Sequence, residues 1–439
     1  MALSKKLFAS LAVCALSVAG LAACSNANTG AGGKEPTKQG KVEIEYLHRL
    51  DNAENATKVD EIVKKWNADN PDIQVKAVKF DGKAQELIQK VDKDIKANNA
   101  PCLYQAGYAD LAELYVKGMV QDVTQYAGQY KNDFGAGPFE SMAINGKYFG
   151  IPQDTGPLVY FYDKAQFDAL GLSVPTTADE FIETAKKAAA QGKFIVAFNP
   201  DEGAQIYTSM VAGAGDQWFS VDGDAWKIDT AGQGSAKVAD FWQKLLDAKA
   251  AKVINRWTDT GDMEKAMANG ELIGAFGAAW DAPLLADGIK GSADDGKWAI
   301  AQMPDFGAGA GKTGPNGGSG VVVSKTCEFP EQAMKFNAWF NTQVNDLATQ
   351  GLVVAAKATP SAPAYASTFG GQDILAEFVK ANENMNAFTF PPSWSVPQGF
   401  LSGDQNAKAG AGAVKVADVF KGAADEAKKA LTDAGLDVK

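Results

Sequence analysis

The sequence predicts an α/β protein built as two lobes, and two observations predict it. From Val42 onward, short apolar runs of period two alternate with apolar stripes at helical spacing, the pattern of strands and helices in turn. Setting aside a cleavable leader leaves roughly 400 of the 439 residues, too many for one small core and enough for two domains of about 150 to 200 residues.

The leader comes first. Lys5 and Lys6 form a basic head, and Leu7 to Gly20 is an apolar run broken only by serines, too short to span a bilayer as a stable helix. Small residues close it at Leu21-Ala22-Ala23-Cys24, which resembles the lipobox of bacterial lipoproteins. Residues 1–23 are therefore expected to be a signal peptide and Cys24 the point of lipid attachment, where acyl chains hold the protein at a membrane by roughly 0.8 kcal/mol per buried methylene. Residues 24–40, rich in Ser, Asn, Gly and Lys, read as a tether reaching roughly 20 Å.

Composition removes several function classes. The formal charge is −11, loss of Lys5 and Lys6 makes it more negative by two, and no basic cluster follows, so nucleic acid is not the expected partner. A single histidine, His48, removes most metal centres and any triad needing a second imidazole. No metal or cofactor is expected. Of four cysteines, Cys14 lies in the leader and Cys24 in the lipobox; Cys102 and Cys327 remain, as a disulfide or as two buried thiols.

Val42, Ile44 and Tyr46 alternate with Glu43 and Glu45 as a strand. Asp51 with Glu54 forms a candidate capping box, and Val59, Ile62, Val63 and Trp66 stripe a helix that ends before Pro71. Ile73 to Phe80 is a second strand, Leu87, Ile88, Val91 and Ile95 mark a second helix, and a third strand begins at Cys102. In an open α/β sheet ligands sit beyond the carboxyl ends of such strands, which here carry His48, Arg49, Asp51, Gln105 and Tyr108. Asn145-Gly146 signals a hairpin, Thr177 with Glu180 a capping box, and Phe194 to Phe198 a strand. The glycine-rich stretch from Gly307 to Gly320 contains Gly311-Lys312-Thr313 but has Phe306 where a phosphate-binding loop needs glycine. It is not a nucleotide site.

Several segments together resemble family 1 extracellular solute-binding proteins, the maltose-binding-protein-like subunits of ABC importers. Gly150-Ile151-Pro152 followed by Leu158 to Lys164 is similar to the family's first interlobe crossing, with Asp163 where Asn is more usual. Met263 to Trp280 resembles its helix, glycine, strand and aromatic sequence, in which the last aromatic faces the cleft. Asn316-Gly317-Gly318-Ser319-Gly320 with Val321 to Val323 resembles the second crossing, Pro330 to Phe340 a first-lobe helix, and Ala355 to Ala366 the third crossing.

The resemblance implies a ligand cleft between two lobes joined by three crossings. The first lobe would hold residues 41–154 and 316–357, the second 155–315 and 358–439. It implies an oligosaccharide ligand, ABC permease subunits as partners, no catalysis, and a monomer on the outer face of the cytoplasmic membrane. Nine tryptophans suit a pyranose, whose C–H face lies on an indole while its hydroxyls meet polar side chains. The candidate ligand residues are His48, Arg49, Gln105 and Tyr108 from strand ends, and Asp154, Asn316, Gly318 and Ser319 from the crossings. Trp218, Trp257, Trp280 with Asp281, Phe390 and Trp394 complete them, Trp280 being the expected platform. Two rivals stay open. A glycoside hydrolase would need two carboxyls facing one bond at roughly 5 to 10 Å, and a binder of another polar solute, such as a peptide, would share the fold.

Overall fold

In the computed structural model, residues 41–50 and 56–439 are described; the leader, Cys24, the tether, Asp51 and Glu54 lie outside them. The chain begins β1 (Val42–His48), α1 (Val59–Asp69), β2 (Ile73–Lys79), α2 (Ala84–Lys96), β3 (Leu103–Gly107), α3 (Leu111–Val116). α1 forms where the stripe places it, with Val59, Ile62, Val63 and Trp66 buried on one face. Its N-cap is Lys58, which makes no side-chain cap. The hairpin turn falls on Asn145 and Gly146, both at positive φ.

β4 (Gly150–Asp163) follows and then a longer succession: α4 (Ala178–Ala189), α5 (Gly203–Gly213), α6 (Gln233–Asp247), α7 (Asp262–Ala268), β5 (Gly274–Ala278), α8 (Asp281–Ile289), β6 (Trp298–Ala301) and β7 (Pro315–Val323). The chain closes with α9 (Pro330–Asn341), β8 (Val353–Val354), α10 (Ile374–Glu383), α11 (Ser395–Leu401) and α12 (Val416–Asp433). Thr177 caps α4 by accepting from the Glu180 amide at 3.2 Å, but the Glu180 carboxylate reaches back to Thr176, not Thr177. The strand expected from Phe194 is regular only at Ala197–Phe198, with Phe194 making an isolated bridge to Leu272.

One sheet runs in the order β5-β4-β7-β3-β1-β2, with β6 and β8 also paired to β4. β1 is parallel to β2 and β3, while β7 runs antiparallel to both β3 and β4. The 14-residue β4, about 46 Å at 3.3 Å per residue, is its spine. Its first part pairs with β7 and β8; Leu158 to Asp163 pair with β5 and β6.

Strand alternation sorts side chains into layers on both faces. Around β1, β3 and β7, Tyr46, Leu103 and Val321 pack with Trp66, Phe336 and Phe340, while Leu47, Tyr104 and Val322 pack with Leu87, Val91 and Leu111 on the other face. Farther along β4, Leu158 and Tyr160 join the core of α4, α5, α6 and α12, and Val159 and Phe161 join that of α7, α8 and α10. The sheet is thus covered by helices on both faces along its length, in the two-lobe α/β arrangement. Burying each large aliphatic side chain stabilises this by roughly 1.5 to 3 kcal/mol.

Cys102 and Cys327 are joined by a disulfide closing 225 residues of chain, at the rim of the Tyr46 and Val321 layer. The lobes also touch directly. Glu113 on α3, nearly buried, accepts hydrogen bonds from the Ser395 amide at 3.0 Å and hydroxyl at 2.8 Å, where α11 begins. Among the described residues no helix is long and apolar enough to cross a membrane.

Candidate functional site: a cleft at the strand crossings

The ends of β1 and β3 meet the middle of β4 and β7, and a polar network ties them. The Arg49 amide donates to Gln105 Oε1 at 2.8 Å; Gln105 Nε2 donates to Gln153 Oε1 at 2.9 Å and Ser319 Oγ at 3.1 Å. Ser319 in turn gives its amide and hydroxyl to Asp154 Oδ1 at 2.9 and 2.6 Å, and Tyr108 donates its hydroxyl to the Asp154 carbonyl at 2.8 Å. Burial pushes Asp154 up to about 6 against the pull of the two Ser319 bonds. Such a network is rigid because each buried polar group has a partner.

The facing wall comes from the turn before α5 and the loop before α7. Asp201 accepts from the Arg256 and Trp257 amides at 2.8 and 2.9 Å, pinning that loop. Arg256, 9 % exposed, donates to Asp281 at 2.9 Å and to Glu264, and its guanidinium lies over the Trp257 ring, 4.8 Å from the centroid. Asp281 also accepts from the Ala278 amide at 3.0 Å. The Trp257 and Trp280 rings lie nearly parallel, 17° apart with centroids 6.1 Å apart, and Trp257 is 39 % exposed. Trp257 donates its indole N–H to Glu202, and Trp280 donates to the Asn316 carbonyl at 3.0 Å.

β7 brings the walls together through Gly317 and Gly318, both at φ +91°. A Cβ on Gly317 would stand 3.2 Å from the Trp280 indole nitrogen, and one on Gly318 3.1 Å from the Tyr108 ring. Glycine is needed for the left-handed backbone and for the closeness of both rings. Arg49 keeps exposed surface, yet the protein around it lowers its pKa, with Glu202 of the opposite wall the largest opposing charge. Glu202 itself is pushed up to about 7, by burial first and also by Asp281 and Asp201, against the Trp257 hydrogen bond.

The cleft therefore gathers Arg49, Gln105, Tyr108, Trp257, Trp280, Gly318 and Ser319. Other candidates are placed elsewhere. Trp218 is 1 % exposed in the second-lobe core and donates its indole N–H to Ser235 at 2.9 Å. Trp394, 2 % exposed, packs on Phe219 and Phe390, and Phe390 turns its ring onto Phe388. These aromatics are packing, because an apolar core stood within reach. Asp154 and Asp281 hold the walls by their bonds to Ser319 and Arg256, and Asn316 is buried and offers the site its carbonyl. The sequence reading missed Glu202 and Arg256. The acidic pair Asp201-Glu202, just beyond Asn199 and Pro200 at the strand end, was the available signal.

His48 is buried beside Tyr46, with ring centroids 5.4 Å apart. Burial, then Lys79, lowers its pKa from the usual 6.5 to about 4. A depressed value means that its stabilising contribution is complete above about 6.5 and is lost as pH falls through 4. The melting temperature of His48→Gln is expected to fall less than that of the parent between pH 6.5 and 4, and equal slopes would refute this.

Among the described residues no group of His, Cys, Asp and Glu is placed to hold a metal ion. Residues 51–345 match the profile of bacterial extracellular solute-binding proteins. The structure is similar to that of the galacto-N-biose-/lacto-N-biose I-binding protein of the ABC transporter from Bifidobacterium longum in complex with lacto-N-biose, at 47 % identity and a TM-score of 0.87, covering 92 % of this chain and 100 % of that one. By sequence it is 25 % identical over 359 residues to the maltodextrin-binding protein of Bacillus subtilis, covering 79 % of this chain and 78 % of that protein. It is also 25 % identical over 299 residues to the arabinooligosaccharide-binding protein of Halalkalibacterium halodurans, covering 64 % of this chain and only 63 % of that protein's length. With more than half of its length matching one profile and a well-covered structural relative at 47 % identity, the chain belongs to the bacterial extracellular solute-binding protein family.

Proposed function

We propose that this chain is the oligosaccharide-capturing subunit of an ABC importer and that its ligand is a short galactoside of the galactosyl-N-acetylhexosamine type. The observation that carries the reading is the stacked Trp257 and Trp280 pair set among Arg49, Gln105 and Glu202. An indole takes the C–H face of a pyranose, and charged and amide groups around it take the hydroxyls. The galactoside class draws its support from the 47 % identity to a protein solved with lacto-N-biose. The lobes would be residues 41–154 with 316–357 and residues 155–315 with 358–439, closing on the sugar by hinge motion. The chain acts as a monomer, held at the outer face of the cytoplasmic membrane through acylated Cys24, and hands its sugar to permease subunits. Fatty-acid labelling that persists in Cys24→Ser would refute the anchor.

Binding without conversion fits the carboxyls of the cleft. Asp154 is held by Ser319 and Asp281 by Arg256, whereas a glycosidase needs two carboxyls aimed at one bond. Lacto-N-biose or galacto-N-biose at a hundred times Kd is expected to stabilise the protein by about 2.7 kcal/mol in a thermal shift, with maltotriose and arabinotriose giving less. Chromatography after prolonged incubation is expected to return the sugar intact. No shift with either galactoside would refute the ligand, and steady product formation would refute the non-enzymatic reading.

A further inference from the structure

Glu202 stands apart from the other carboxyls of its wall. Asp201 commits both oxygens to the backbone of Arg256 and Trp257, Asp281 commits both to Arg256 and Ala278, and Glu264 is paired with Arg256. Glu202 accepts from Trp257 Nε1 through one oxygen, and its other oxygen has no hydrogen-bond donor among the described residues. The side chain is half-buried rather than sealed, beside Trp257, which is 39 % exposed.

We propose that Glu202 is a specificity residue of the cleft, its second oxygen accepting a hydrogen bond from a hydroxyl of a neutral sugar stacked on Trp257. The inference rests on the sugar-binding reading above and names a contact within it. The charges around Glu202 fix the class of sugar. Asp201 comes from its own turn, Asp281 from the start of α8 and Arg256 from the loop before α7, while Arg49 faces it from the other wall. With Glu264 behind Arg256, four carboxyls stand against two guanidiniums, so a sugar bearing its own carboxylate meets like charge. A hydroxyl has no such penalty and gains a charge-assisted bond once Glu202 is ionised.

Geometry and titration then make one statement. A group that ionises at about 7 is mostly protonated at pH 6 and mostly ionised at pH 8. Protonation removes the acceptor character that the hydroxyl needs. If only the carboxylate form binds well, affinity rises roughly tenfold from pH 6 to pH 8.

Calorimetric titration with lacto-N-biose at pH 6, 7 and 8 tests this on the full mature chain, with Glu202→Gln and Glu202→Ala beside it. The parent is expected to bind about tenfold tighter at pH 8 than at pH 6. Glu202→Gln keeps an acceptor for Trp257 and is expected to bind several-fold more weakly at pH 8 with no pH slope, and Glu202→Ala at least tenfold more weakly, both with melting temperatures near that of the parent. A uronic-acid analogue of the disaccharide is expected to bind the parent more weakly than the neutral sugar. Parent-like affinity and slope in Glu202→Gln would show that Glu202 only seats Trp257 and would overturn the inference alone. Failure of the parent to bind any sugar would overturn the sugar reading with it.

Discussion

Trp280→Ala is expected to weaken sugar binding by about 2 kcal/mol or more, roughly thirtyfold, because a large aromatic at the centre of a ligand contact behaves as a hot spot. The structure adds a second effect. Trp280 stacks on Trp257 and donates to the Asn316 carbonyl at 3.0 Å, so truncation removes both a ring partner and a hydrogen bond. Stability of the unliganded protein should therefore fall by about 1 kcal/mol, well short of the roughly 3 to 5 kcal/mol for a fully buried tryptophan. Trp280→Phe keeps a ring but not the donor, and should lose less affinity than alanine. Calorimetric titration and urea unfolding of the same variants give both quantities. Unchanged affinity in Trp280→Ala would move the platform to another aromatic.

Arg256→Ala is expected to be the most damaging single change to the folded state at this wall. Its guanidinium is 9 % exposed and neutralises Glu264 and Asp281, themselves largely enclosed. Removing one member of a buried ion cluster leaves the others uncompensated, which costs roughly 3 to 5 kcal/mol. Burial already raises the Asp281 pKa against the pull of Arg256, so without Arg256 it should rise further and that carboxyl should take up a proton nearer neutral pH. Trp257 would also lose the cation over its ring. The loss in Arg256→Ala should shrink when Asp281→Asn is added, since the second change removes a stranded charge. A loss below about 1 kcal/mol in denaturant titration would show that Glu264 and Asp281 are solvated well enough to stand alone.

Much of the fold was legible in the sequence because burial imposes periodicity. The stripe Val59, Ile62, Val63 and Trp66 lies inward as its spacing requires, and Asn145-Gly146 turns where its preference for positive φ places it. Caps were less legible. Glu180 was read as completing a box with Thr177, yet its carboxylate accepts from Thr176, since spacing in sequence does not say which of two adjacent threonines lies within reach. Trp280 was singled out by the segment that leads into it, but Trp257 stands beside it while Trp218 and Trp394 are buried, and nothing in the residues next to those three distinguishes them. The difference lies in long-range packing. Trp218 meets Phe388 and Phe420 from distant parts of the chain, while Trp280 meets the glycine backbone of β7. Glu202 and Arg256 escaped notice for a related reason, because the pairing of Arg256 with Asp281 spans 25 residues and exists only after α7 and β5 have folded between them.

The strand β4 bears on how the two halves can move. Hydrogen bonds to its neighbours continue along it from Gly150 to Asp163, with β7 and β8 on its first half and β5 and β6 on its second. Where a free linker joins two bodies, either can swivel or melt while the other stays intact. Here the link is itself sheet, so opening means torsion spread over several residues, eased at the irregular register between Pro315 and Gly318 and between Ser319 and Gly320. The same continuity couples their melting, since fraying one half strips ladder bonds from the strand on which the other is built.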